Sequence, residues 1–337
     1  MADYTLNMEV SPAWVHSVFI VLAVLSQILS EFFTTTFISG VYHSSSDNVS
    51  YSCSIDASLD AWASSMWIML SVWNLVWLIY AFSTVLRRNV LGPVCCNPEV
   101  HPPLFYMTWI FIGFVRVALW FLGNDPCLVR TFALKMLIPV SANVMLGISY
   151  SNLHQHQSWL AAHSPNDYWF ICFLTQNGLA MFATWTYLEA MVTLGTVLNY
   201  NTSLQDPLVS TVVLTLLLMG LVIWFTFESF IFEKLMRYTF TVYPTMILGL
   251  GSIFTRSYHF DDIAPNTVYC GVLMLFATLL NIIRLIAVCC YKDRKPSFLS
   301  QDRAPREDVC ETVAQEKDRQ DAEDGNWGIV NSQFSND

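Results

Sequence analysis

Charge is what this 337-residue chain has least of. Charged residues make up 12% of it, about half the usual soluble share, while 54% are hydrophobic. A soluble protein of this length can hide a large core but still needs a charged surface. Here the charges are confined to loops and to the last part of the chain, so the solvent for most of it is lipid. A net charge of -10 excludes the basic footprint of a nucleic-acid binder. No Gly-x-Ser-x-Gly, P-loop or His-Glu-x-x-His motif occurs, and nothing points to an enzyme or requires a cofactor. No Cys-x-x-Cys spacing occurs either. His154, His156 and His163 have no acidic residue between them and read as solvated loop histidines, not a metal set. The first residues carry Asp3 and Glu9 in place of a basic region. A cleavable signal peptide is therefore not expected, and the first apolar segment should stay as an anchor. There is no internal repeat.

Long apolar runs are what the chain has in abundance. Eight are long enough to be read as spans: 14–37, 61–86, 104–122, 131–150, 168–198, 208–232, 238–255 and 267–291. The fifth is overlong and must tilt, kink or protrude. The fold class expected is all-α, a polytopic transmembrane bundle of about eight spans over residues 1–291. Residues 292–337 are polar, rich in both charge signs, and read as a disordered cytoplasmic tail.

Sequons at Asn48-Val-Ser50 and Asn201-Thr-Ser203 fall on the same side of an eight-span chain, which is lumenal or extracellular if either is glycosylated. The opposite side receives Arg87, Arg88, Lys234, Arg237, Lys292, Arg294 and Lys295, in line with the positive-inside rule, with Arg130 and Arg256 as exceptions. Both termini are then cytoplasmic, and passage through the secretory route is implied. This topology puts Cys53 and Cys127 in outside loops, where they are either bridged or separate thiols. Cys95-Cys96 and Cys289-Cys290 lie at the cytoplasmic edge, as palmitoylation candidates or as plain small residues.

The second run holds an aromatic stripe. At about 100° per residue Trp62, Trp73, Trp77 and Tyr80 share one narrow face, while Trp67 and Asn74 lie on another. Trp73 is near mid-depth, where an interfacial belt cannot explain it. Ionisable groups also sit at membrane depth: Glu31, Arg116, Lys135 and Glu189 toward the outer half, Glu228 and Arg284 toward the inner half. Arg116 with Glu189 and Glu228 with Arg284 are the expected pairs. Trp109, Gly113, Arg116 and Trp120 share a face, so Arg116 should stack on Trp120. Gly178, Met181, Trp185, Glu189 and Thr196 share another. His16 reads as a lone interfacial residue.

Several stretches carry a family resemblance. Trp62-Ala-Ser-Ser-Met-Trp67 with Trp73-Asn74-Leu-Val-Trp77-Leu-Ile-Tyr80, His101-Pro102-Pro103-Leu-Phe-Tyr106 and Gln176-Asn177-Gly178-Leu-Ala-Met-Phe-Ala-Thr-Trp185-Thr resemble a group of animal eight-span Trp-rich membrane proteins. That group is distantly similar to the tryptophan-rich sensory protein and translocator protein family, a five-helix fold linked to tetrapyrrole, sterol or lipid ligands. The chain departs from the group at Asp60-Ala-Trp62, in place of a Pro-Ala-Gly-Trp turn, and at Glu189, in place of a small residue. The resemblance implies an aromatic-lined intramembrane cavity for an apolar ligand, with Trp62, Trp73, Trp77, Tyr80, Trp109, Trp120 and Trp185 as surfaces and Arg116 and Glu189 as polar contacts. A proton- or ion-coupled transporter or channel using the membrane-depth charges, and a membrane scaffold without a ligand, are the rival readings.

Overall fold

The computed structural model describes residues 13–36, 55–89, 92–122, 127–202, 204, 206–232, 235–258 and 264–291. Among these the chain is almost wholly helical, with one two-residue antiparallel ladder, Arg88–Asn89 on Gly92–Pro93. Gly92 sits at φ 127°, a conformation that an L side chain rarely adopts.

Helix α1 is Ala13–Thr36 and α2 is Ser65–Leu86. A 3-10 turn, Ala61–Ser64, opens α2, and the Asp60 carboxylate caps it by accepting the Ala61 N–H at 2.7 Å. Helix α3, Pro103–Phe121, starts where Pro103 needs no N–H partner. Helix α4, Leu128–His163, has 36 residues; at about 1.5 Å per residue it outruns a hydrocarbon core of about 30 Å. Its last turns carry His154, His156 and His163, so the expected loop histidines are helical. His156 and His163 each hydrogen-bond the carbonyl one turn back, at 2.9 and 3.1 Å.

The overlong fifth run is interrupted by a π-turn, a seat for the kink its length called for. It forms α5, Pro165–Phe170, a π-turn, Ile171–Gln176, and α6, Asn177–Asn201. The π-turn alters the carbonyl ladder, and Asn177 Nδ2 donates to Cys172 O at 2.9 Å. Helix α7, Asp206–Thr226, runs into a second π-turn, Phe227–Ile231, and α8 is Val242–Ser257. Helix α9 is Pro265–Tyr291.

Among the described residues six helical segments are long and apolar enough to cross a membrane: Ala13–Thr34, Ala61–Leu86, Pro103–Phe121, Leu128–His163, Asp206–Ile231 and Pro265–Ala287. They make this an all-α bundle of the integral-membrane kind. Two of the eight predicted spans are missing from that set for physical reasons. Helix α6 is the central helix and turns Asn177, Thr184 and Thr186 inward among its neighbours. Helix α8 has 16 residues, about 24 Å at the helical rise.

The chain divides into two compact units, 1–285 and 286–337. In the first, α6 packs on α2, α4, α7 and α8, and α1 packs on α2 and α3. One core joins α1 to α4 with α6, and a second joins α6 to α9. Leu25, Ile28 and Phe32 on α1, Ile68 and Val72 on α2, and Val272, Leu275 and Leu279 on α9 face outward. Apolar rows of that kind are stable against acyl chains and unstable against water. In the second unit the described residues 286–291 are the end of α9; residues 292–337, including the tail read as disordered, lie outside the described residues, as do Asn48 and Cys53.

Candidate functional site

The membrane-depth charges form a chain across five helices near the end that carries Asn201. Arg116 on α3 reaches Glu31 on α1, Nη2 to Oε1 at 3.0 Å, and donates to Ser30 Oγ at 3.0 Å. Gln27 Nε2 donates to the same Glu31 oxygen at 2.8 Å, and Ser71 of α2 donates to the other at 2.7 Å. The expected pair of Arg116 with Glu189 is therefore corrected: Glu31 takes the guanidinium. The expected stacking on Trp120 is corrected too. The Arg116 guanidinium lies over Trp67, 5.5 Å from the ring centroid, while Trp120 packs on Phe33 at 4.8 Å. Trp67 links the two halves of the chain, because its Nε1 donates to Glu189 Oε1 at 2.7 Å. Trp185 Nε1 donates to the same oxygen at 3.1 Å, one turn back on α6. Lys135 on α4 donates to Thr193 Oγ1 at 3.1 Å.

Toward the other end, Arg284 and Glu228 meet as expected, Nε to Oε1 at 2.7 Å, both buried. Tyr243 donates to Glu228 Oε2 at 2.5 Å, and Arg284 donates to Met236 O at 3.0 Å. That pair locks α9 to the π-turn after α7. Asn177 secures the following loop by donating to Tyr238 O at 2.8 Å and accepting the Phe240 N–H at 2.9 Å.

The aromatic stripe is not one surface. Trp77 is buried against Trp109, with ring centroids 5.1 Å apart and nearly perpendicular, and Trp109 packs on Phe182. Trp73 donates to Leu174 O at 2.9 Å, beside the π-turn, and its indole occupies the space left by Gly178. Trp62 is exposed and donates to Thr255 Oγ1 at 3.0 Å. Tyr80 donates to Asp167 Oδ1 at 3.1 Å, the oxygen that Arg87 Nη2 meets at 2.7 Å. The tryptophans are mostly cross-braces. Trp77 and Tyr80 border only a space of about 30 Å³, room for one or two waters.

A larger cavity, about 680 Å³, lies elsewhere, between α4, α7 and α8, with α6 as its floor. Gly147 and Tyr150 of α4, Ala183 and Tyr187 of α6, and Trp224 and Phe227 at the end of α7 border it. None of the expected ligand-binding residues does. Its walls are mainly apolar, and a small residue leaves part of the space: at Gly147 an added Cβ would meet nothing within 4 Å. Gly220, also on the wall, lets the Tyr187 ring lie flat and donate to Leu216 O at 2.8 Å. Gly147, Ser151 and Ile223 on its wall are exposed, so the cavity is open to the surface there. Sequence reasoning missed it; the signal in the sequence was a glycine on each of two predicted spans, Gly147 and Gly220.

His16 was also misread. It is fully buried, with Nε2 3.1 Å from Glu99 and Nδ1 3.6 Å from Cys96 Sγ. Cys95 and Cys96 are buried with their Sγ atoms 3.3 Å apart, so acylation of either would need local opening. Burial and the Cys95 thiol push Cys96 up to about 12. Burial pushes His101 down to about 3; its ring stacks on Phe105 and meets Ser149 Oγ at 3.4 Å. Cys127, Cys289 and Asn201 are exposed. Among the described residues no cluster of His, Cys, Asp or Glu is arranged to hold a metal. No family model, no curated protein and no solved structure matches the chain.

Proposed function

We propose that this chain is an eight-span membrane protein that takes an apolar small molecule, a sterol, tetrapyrrole or lipid, from the bilayer into the cavity between α4 and α7. The cavity itself carries the reading. Its volume of about 680 Å³ falls within the range usual for small-molecule sites, about 300–1,000 Å³. Its wall is mainly apolar with a few polar groups, such as Asn143, Ser151 and Thr184, that can orient a ligand. On this reading its open side, at Gly147, Ser151 and Ile223, faces lipid, so a ligand already dissolved in the membrane reaches it without crossing water. On this reading α6 and α8 also cross, completing eight spans, with Asn201 on the lumenal side and Arg87 on the cytoplasmic side, in a membrane of the secretory route.

Native mass spectrometry of protein extracted in mild detergent tests it. The wild type is expected to carry an apolar adduct. Gly147→Leu fills the cavity from a position where a side chain meets open space, so it should lose the adduct and keep its fold. An adduct retained at wild-type occupancy in a folded Gly147→Leu would overturn the proposal.

A further inference from the structure

The carboxylates at membrane depth are not alike. Glu31 faces a guanidinium at 3.0 Å and Glu228 faces one at 2.7 Å. Glu189 has neither. Among the described residues no Lys, Arg or His nitrogen reaches within 4.0 Å of it, and its two donors are neutral indole N–H groups on the same oxygen, Oε1. No further donor serves Oε2 among the described residues. Lys135, the cation nearest in kind, is turned to Thr193 Oγ1, which itself donates to Glu189 O at 2.8 Å. A carboxylate in low dielectric is held ionised by a cation close by, and two neutral hydrogen bonds are a much weaker hold. Glu31 and Glu228 are therefore committed to ion pairs, while the protonation of Glu189 is left open.

We infer that Glu189 is a proton-binding site. In the step an O–H bond of a hydronium ion breaks and one forms on Oε2, leaving water, and the two indole hydrogen bonds stay on Oε1, weakened because the carboxyl is no longer charged. The residue is half-buried. The ionisable groups that face it are Lys135 from α4 and Arg116 from α3, with Glu31 of α1 behind Arg116. Helix α2 brings Trp67, a neutral donor, and α7 and α8 bring no charged group to it. Both donors being tryptophans, the site also reports on itself. This inference is independent of the cavity, which Glu189 does not line.

The test is infrared difference spectroscopy across about pH 4 to about pH 9 on protein in lipid nanodiscs, with ultraviolet resonance Raman of the indole N–H bands in parallel. The wild type is expected to show a protonated-carboxyl band that grows as pH falls, in step with weakening of the indole hydrogen bonds. Glu189→Gln should lose the indole step and the share of the carboxyl band that moves with it, leaving the band of the other carboxyls. Trp67→Phe removes one donor to the charged form and should raise the midpoint by about one pH unit. If Glu189→Gln fails to fold, the Trp67→Phe shift decides alone. A wild type with no indole-linked carboxyl step in that range, an indole step that persists in folded Glu189→Gln, or an unmoved midpoint in Trp67→Phe would overturn the inference.

Discussion

Arg116 offers the sharpest mutational test of the helix packing. Its side chain is 6% exposed and that of its partner Glu31 is 24% exposed. Removing one member of a fully buried ion pair costs about 3–5 kcal/mol, because a charge is left in low dielectric. Glu31 keeps some access, so the lower end applies: Arg116→Met should cost about 3 kcal/mol. Loss of its stacking on Trp67 should add about 0.5–1 kcal/mol. Glu31→Gln should cost about 2–3 kcal/mol. The double variant should fall short of the sum by about 1–3 kcal/mol, the usual range for residues in contact. The assay is equilibrium unfolding by SDS titration in mixed micelles of fixed composition. A parallel cycle on Arg116 and Glu189, which Trp67 bridges, should show a coupling below about 1 kcal/mol. Additivity for Arg116 with Glu31, together with strong coupling of Arg116 to Glu189, would refute the arrangement.

Three further outcomes are expected. Gly178→Ala should destabilise by about 1–3 kcal/mol in the same titration, because the new Cβ would run into the Trp73 indole and disturb its bond to Leu174 O. Trp67→Ala should cost at least as much as Trp73→Ala, roughly 3–5 kcal/mol; the stripe in the sequence suggests the reverse, but Trp67 donates to Glu189 and lies under Arg116. His101 titrates near 3 when folded and near 6.5 in the free chain. Its folded value is the lower, so the unfolded chain binds the extra proton and stability falls as pH drops below about 6.5, by up to about 1.4 kcal/mol per unit; His101→Gln should flatten that slope.

How far the sequence can be read depends on which physical property decides each feature. Helix existence follows from apolar runs, and the runs at 14–37, 61–86, 104–122, 208–232 and 267–291 all became helices. Charge balance at each depth follows from counting, which is why Glu228 and Arg284 could be paired. Azimuth does not follow from counting. Arg116 and Glu189 match in height, yet α1 rather than α6 presents a carboxylate to Arg116. The same blindness placed the ligand surface on the Trp stripe. Tryptophan is large enough to line a cavity or to fill one, and Trp77, Trp109 and Trp185 fill the core. The actual space lies beside Gly147 and Ala183, residues whose small size says little until three helices are set side by side. His16 looked solitary because its partners, Cys96 and Glu99, come from a distant turn.

The most direct test of the central claim is photolabelling in native membranes with a diazirine-bearing sterol and a diazirine-bearing lipid, followed by peptide mapping. Label on residues 143–151 of α4 and 220–227 at the end of α7, displaced by excess unlabelled probe and lost in Gly147→Leu, is the expected result. Label spread over the outward rows of α1, α2 and α9, with no displacement and no dependence on Gly147, would contradict the claim that the cavity is a ligand site.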